Sequence, residues 1–295
     1  MIGVPDLRLK RLGLYLLLMI SIPCWGGGSS PKCFVALAKL DKKLIKLIPD
    51  QIQIPKDNSE LKELVHIGTL EFVDNFYSEF VTDRISFMTS EDSADLSKRD
   101  IRALIEARKI GQIPRSLYRL LSFEGEVPSN FDEFMRRFGK ALDRTRKSEF
   151  DKVAPHATKA LKFIKAGALE HSLTNPIQTR LKSFRRNLKG MVFRILELSE
   201  SSRITRREYH ELRKRVRDLK ILFYLVAEMV GSEESLNVYA IFNHIDDRLG
   251  DTKDDLKEIE EEYGNRIEGE LITRVSSRDR EVLLPLMYRV LEAMD

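Results

Sequence analysis

Residues 205–231 read TRREYHELRKRVRDLKILFYLVAEMVG, and this stretch decides the fold class. Thr205 and Glu208 are spaced as a capping box, in which the hydroxyl accepts from the third helical N–H and the carboxylate reaches back to the cap. Gly231 supplies the stop, because a helix commonly ends on a residue with positive φ. Between them Leu212, Val216, Leu219, Leu222 and Phe223 recur with the 3.6-residue period of a buried helix face. His210, Arg213, Lys214, Arg217 and Lys220 fall at offsets of 0, 3, 4, 7 and 10, so they form a second stripe about three turns long beside the apolar one. Like charges at helical spacing repel by roughly 0.2–0.5 kcal/mol per pair. A polyanion lying along the ladder would turn that repulsion into attraction, with Arg offering a bidentate fork to phosphate and Lys a point charge.

Moving outward, the same periodicity continues in both directions. Downstream, helices are expected from about Glu234 to Tyr263, with Gly264 as the stop, and from Ser276 or Ser277 through Leu283, Leu284, Met287, Val290 and Leu291. Upstream, Pro176 sits in a favoured first-turn position with Thr174 or Asn175 as its cap, opening a helix that runs to about Leu198. Further helices are expected over Leu37–Leu47, from Leu61 to Val81, from Ser93 to Ile110, from Pro114 to Leu121 and from Ser129 onward. Pro155 is expected to end or kink this last one before Leu161. No stretch alternates as a strand would. The chain is expected to be all-α, a protein of helical bundles.

The composition fits that reading. Hydrophobic residues make up 42% of the 295, enough for a sizeable core, and charged residues 33%. Lys and Arg exceed Asp and Glu by only four overall, but from Arg136 to Lys220 there are 24 basic residues against 9 acidic ones. A surplus carried over successive helices points to a polyanionic partner. Lys182, Arg185, Arg186 and Lys189, at offsets 0, 3, 4 and 7, repeat the cationic stripe on the preceding helix. Arg136, Arg137, Lys140, Arg144 and Lys147 do so further upstream, as do Lys159, Lys162 and Lys165. For these two upstream sets a solvated helix face is the preferred reading.

At the N-terminus, Arg8, Lys10 and Arg11 precede an apolar run from Leu12 to Cys24, with Gly26 to Ser30 beyond. This is the pattern of a signal peptide, and the run is short for a bilayer span, which needs ~20 residues. The expected location is therefore exported, periplasmic or membrane-proximal, or cytoplasmic if that segment is not a signal. The two cysteines, Cys24 and Cys33, make no disulfide framework and no zinc spacing. His66, His156, His171 and His244 have no partner at metal-ligand spacing, and the polarity of His244, Asp246 and Asp247 reads as helix surface. Phosphate loops, dinucleotide turns and nucleophile elbows are missing from the sequence, so neither catalysis nor a cofactor is expected.

The basic helix, taken with residues 249–261, LGDTKDDLKEIEE, resembles the conserved histidine α-helical domain (CHAD) family. Its hallmark helix carries a His, then Arg and Lys three and four positions on, then further basic residues, as do His210, Arg213, Lys214, Arg217 and Lys220 here. A second hallmark, a Leu-Gly pair with Asp four residues after the Gly, is matched by Leu249, Gly250 and Asp254. Asp218 stands where the family carries a further basic residue. The resemblance covers mainly the C-terminal half and implies paired four-helix bundles lining a basic groove that binds inorganic polyphosphate. On that reading Lys182, Arg185, Arg186 and Lys189 face the His210 stripe across the groove.

The expected organisation is a signal-like segment and linker over 1–30, an N-terminal helical region over 31–127 and a CHAD-like helical domain over 128–295. The expected function is non-catalytic binding of polyphosphate or a similar polyanion. Nucleic acid is a less favoured partner, because the basic stripes lack interleaved aromatics for stacking and no DNA-binding motif is present. A helical scaffold docking an acidic protein through the same stripes is the other alternative.

Overall fold

In the computed structural model, residues 44–76, 79–90, 96–123, 125–165, 180–263 and 272–294 are described. Their α-helices are α1 (Asn58–Phe76), α2 (Glu79–Phe87), α3 (Lys98–Ile110), α4 (Gln112–Leu121), α5 (Ser129–Arg146), α6 (Ala154–Lys165), α7 (Leu181–Glu200), α8 (Arg206–Val230), α9 (Glu233–Tyr263) and α10 (Ser277–Glu292). The protein is all-α. Extended structure is confined, among the described residues, to β1 (Ile204–Thr205) and β2 (Ile272–Thr273), paired antiparallel with Ile204 opposite Thr273. This short ladder ties the start of α8 to the segment leading into α10.

The punctuation of α8 is as its sequence dictates. Thr205 has extended backbone, its side chain accepts from the Glu208 N–H, and Glu208 reaches back to the Thr205 N–H at 2.8 Å. Gly231 closes the helix at φ +69°, the left-handed conformation for which a residue without Cβ is suited. Ser276 caps α10 by accepting from the Asp279 N–H. Ser97 caps α3 with a full capping box, so that helix starts at Lys98, five residues later than the periodicity suggests. Pro155 corrects the sequence reading more substantially. It lies in the first turn of α6, where its missing N–H has no helical acceptor to satisfy, and α5 already ends at Arg146. The expected helix over Leu37–Leu47 falls mostly outside the described residues, as do Pro176 with its caps, Gly264, the signal-like segment and both cysteines.

Residues 44–295 form one compact unit containing two apolar cores. The smaller joins Phe72 of α1 to α2, α3, α5 and α6, and Phe131, Phe134 and Phe138 run through it with ring centroids 6.0–6.3 Å apart. The larger gathers α4, α7, α8, α9, α10 and the start of α1. Apolar packing thus runs across position 127/128: α1 and α4 join the C-terminal helices, while α5 and α6 join α2 and α3. At the centre of the larger core stands α8, packed against α1, α4, α7 and α9. Phe223 stacks on Phe242 of α9 at 5.1 Å, a parallel contact that fixes the α8–α9 pair. No helix of the described residues is long and apolar enough to cross a membrane.

Because α8 packs against four other helices of the larger core, its cap is a sensitive point. Thr205→Ala removes the hydroxyl acceptor and is expected to lower unfolding stability by about 1 kcal/mol. Denaturant unfolding checks this, and an unchanged midpoint would show that β1 alone sets the start of α8.

Candidate functional site: a cationic strip along α8

Two helices flank α8. On one side Asp218 turns to α4, where Ser116 Oγ donates to it at 2.6 Å and Arg119 Nη1 at 2.8 and 2.9 Å. On the other, Arg213, Arg217 and Lys220 turn to α9 and Asp246. Asp218 and Lys220 are ~160° apart around the helix. The surface between these flanks carries His210, Lys214 and Arg217, with Arg115 and Arg119 of α4 at one edge and Lys253 of α9 at the other.

Asp246 is the hub. Its side chain is only 5% exposed, and three cations share it. Lys220 donates to Oδ2, while Arg213 Nε and Arg217 Nε stand 3.5 and 3.6 Å from Oδ1. Those two separations are ion pairs and not hydrogen bonds, so Arg213 Nε and Asp246 Oδ1 are buried with no hydrogen-bond partner among the described residues. Burial works to raise the Asp246 pKa, but Arg217, Lys220 and Arg213 together hold it below the ordinary carboxylate value. The expectation that Asp246 is helix-surface polarity is corrected: it is buried, and it is the counter-ion of the strip.

Gly250 lies one turn beyond Asp246 on α9. A Cβ there would come within 2.7 Å of Arg213 Nη2 and 3.1 Å of Cζ. The missing side chain is what lets the guanidinium lie across α9 and reach back toward Asp246. The Leu-Gly signal therefore has a local steric reason.

His210 sits half-buried among Lys214, Lys253, Arg217 and Arg213. Desolvation first, and then these four positive charges, push its pKa down to about 4, so the ring is neutral at physiological pH. Its Nδ1 is buried and, among the described residues, has no hydrogen-bond partner. Lys214 is exposed and has no ion-pair partner among the described residues; partial desolvation, Arg119 and Arg115 lower its pKa. Arg217 is shifted the same way by burial, although Asp246 opposes the shift. The arrangement is a crowded set of cations: the buried Asp246 and Asp218 hold Arg213, Arg217, Lys220 and Arg119 to the fold, while Arg115 pairs with Asp132 and Lys253 with Asp254.

Lys182, Arg185, Arg186 and Lys189 are all exposed along α7. Among the described residues no hydrogen bond or ion pair joins them to the α8 strip. The reason is α4, which packs over the junction of α7 and α8. It bonds Asp218 through Ser116 and Arg119, while its C-terminal end is held by Asn187, whose amide donates to the Leu120 and Ser122 carbonyls at 3.1 and 2.8 Å. The two stripes lie on either side of it. Upstream, Arg136 and Arg137 pair with Glu133, and Arg144 with Glu149. His156 stands beside Arg137, and among the described residues no group of His, Cys, Asp and Glu could hold a metal ion.

Sequence reasoning misses Arg115, Arg119, Lys253 and Asp246. The available signal for the first two is an Arg pair one turn apart in the otherwise apolar QIPRSLYRLL of α4. No family model matches the chain, and no match was found among curated proteins or solved structures.

Removing the hub strands three cations. Asp246→Asn is expected to destabilise the protein by about 3 kcal/mol at neutral pH and low salt, with part of the loss recovered on adding inorganic phosphate. Denaturant unfolding with and without phosphate checks it; full stability without any anion would show that the three cations do not depend on Asp246.

Proposed function

We propose that the α8 strip binds a phosphate-rich polyanion, with inorganic polyphosphate as the simplest ligand, and that the binding is non-catalytic. The observation that carries the reading is the incompletely compensated positive charge. Lys214 without an ion-pair partner among the described residues, a neutral His210 among four cations, and two arginines only loosely paired to Asp246 all gain from a bound anion. Lys214, Arg217 and Lys253 would hold successive phosphates, with Arg115 and Arg119 on the opposite wall. As an anion approaches, the positive field at His210 falls, its pKa rises, and the protonated ring adds a donor.

Resemblance to the CHAD pattern supports the same ligand. His210, Arg213, Lys214, Arg217 and Lys220 share the strip, and Gly250 serves the placement of Arg213. A CHAD-like pairing of four-helix bundles is part of this proposal, as is an exported or membrane-proximal location. The α4 cations take the place opposite the strip that the sequence assigns to the α7 stripe.

Polyphosphate titrated calorimetrically into the full chain is expected to bind about 50-fold more weakly at about 200 mM than at about 50 mM salt, the counter-ion release for four phosphate contacts. Lys214→Glu should weaken binding at least tenfold, and Lys189→Glu, on the far side of α4, should leave it unchanged. Salt-independent binding, or a Lys214→Glu chain that binds as tightly as the parent, would refute the strip as the site. Displacement of polyphosphate by equal amounts of duplex DNA would move the assignment to nucleic acid.

A further inference from the structure

The α7 stripe left outside that site has its own surroundings. Lys182, Arg185, Arg186, Lys189 and Phe193 fall within about 60° of one line along α7, and the line from Lys182 to Phe193 is about 16 Å long. No acidic residue interrupts Leu181–Ile195. Among the described residues Lys182, Arg185 and Lys189 have no ion-pair partner. Large apolar rings stand with them: Phe193 is 51% exposed, and Phe123, just beyond the end of α4, is 65% exposed. Arg186 lies over the Phe123 ring at 4.9 Å and donates to the Phe123 carbonyl, so this ring is held in place beside the cations. Lys189 lies 5.9 Å from the centroid of Phe193.

We infer that this outward face of α7, with Phe123, docks on an anionic phospholipid bilayer. Charge complementarity selects an anionic surface. Its shape and ring chemistry select a bilayer over a polynucleotide or an acidic protein. The cations crown the convex side of a helix, which suits a broad, planar anionic sheet, whereas a single strand is tracked in a groove. Two protruding phenyl rings beside cations can enter the headgroup–acyl boundary while the cations stay among the phosphates. Arg186 anchors Phe123, and Lys182, Arg185 and Lys189 supply the attraction. The inference does not depend on the α8 strip binding polyphosphate.

Co-sedimentation of the full chain with phosphatidylcholine vesicles, and with vesicles containing about one-third phosphatidylserine, tests it. Phosphatidylserine should increase the bound fraction. The Lys182→Ala/Arg185→Ala/Lys189→Ala variant should weaken that increment by about fivefold per cation removed. Phe193→Ser should weaken it several-fold with the charge unchanged, which separates insertion from simple attraction. Both variants alter exposed side chains and should keep the helical spectrum and polyphosphate binding of the parent, while Lys214→Glu should leave vesicle binding as it was. Equal partition onto both vesicle types, an unaffected Phe193→Ser variant, or capture of single-stranded DNA by these residues without vesicle binding would each overturn the inference.

Discussion

One buried carboxylate has to serve three cations. Asp246 lies almost out of solvent, and the α8 helix presents Arg213, Arg217 and Lys220 to it at once. Of the three, Lys220 alone hydrogen-bonds to Asp246 among the described residues, and the arginines stand off at 3.5 and 3.6 Å. A buried ion pair is strong only when geometry and additional hydrogen bonds offset desolvation. Here the offset is incomplete, yet the α8–α9 interface is built on it: Gly250 is bare so that Arg213 can cross, and Phe223 stacks on Phe242 further along the same interface. Positive charge is therefore left at the surface by construction. Burial first, and then the neighbouring cations, lower the pKa of both His210 and Lys214.

A second buried carboxylate divides the basic surface. Asp218 draws in α4 through Ser116 and Arg119, and α4 then occupies the junction between α7 and α8. The long run of basic residues from α7 into α8 is split by this packing into two stripes with different neighbours. One is half-sunk between helices and lined by more cations. The other stands outward beside two exposed phenylalanines. The two proposals assign them different anions, a flexible phosphate chain to the first and a bilayer surface to the second.

What could be read from the sequence was whatever is encoded within one helix. The capping box of Thr205 and Glu208, the Gly231 stop, the Ser276 cap and the α8 ladder are set by spacings of ten residues or fewer. Pro155 is ambiguous because a proline that breaks one helix and a proline that starts the next look alike in sequence; the helix end at Arg146 decides between them. Asp246 was read as surface because an acidic residue beside another on a polar helix carries no mark of burial. Its role needs three partners on a different helix. Asp218 looked like a gap in the basic pattern for the same reason: its partners, Ser116 and Arg119, lie about a hundred positions away. The α7 cations were matched to the α8 ladder by spacing alone, and spacing cannot reveal a third helix packed between them.

The claim on which the account rests is that the charge around His210 awaits an anion, and the change in the imidazole's titration when an anion is added reports that charge. Its titration, followed by NMR on the ring protons, should give a pKa near 4 in the free protein and a clearly higher value once polyphosphate is added. A free-protein pKa in the ordinary histidine range, or one that does not move with polyphosphate, would contradict the account.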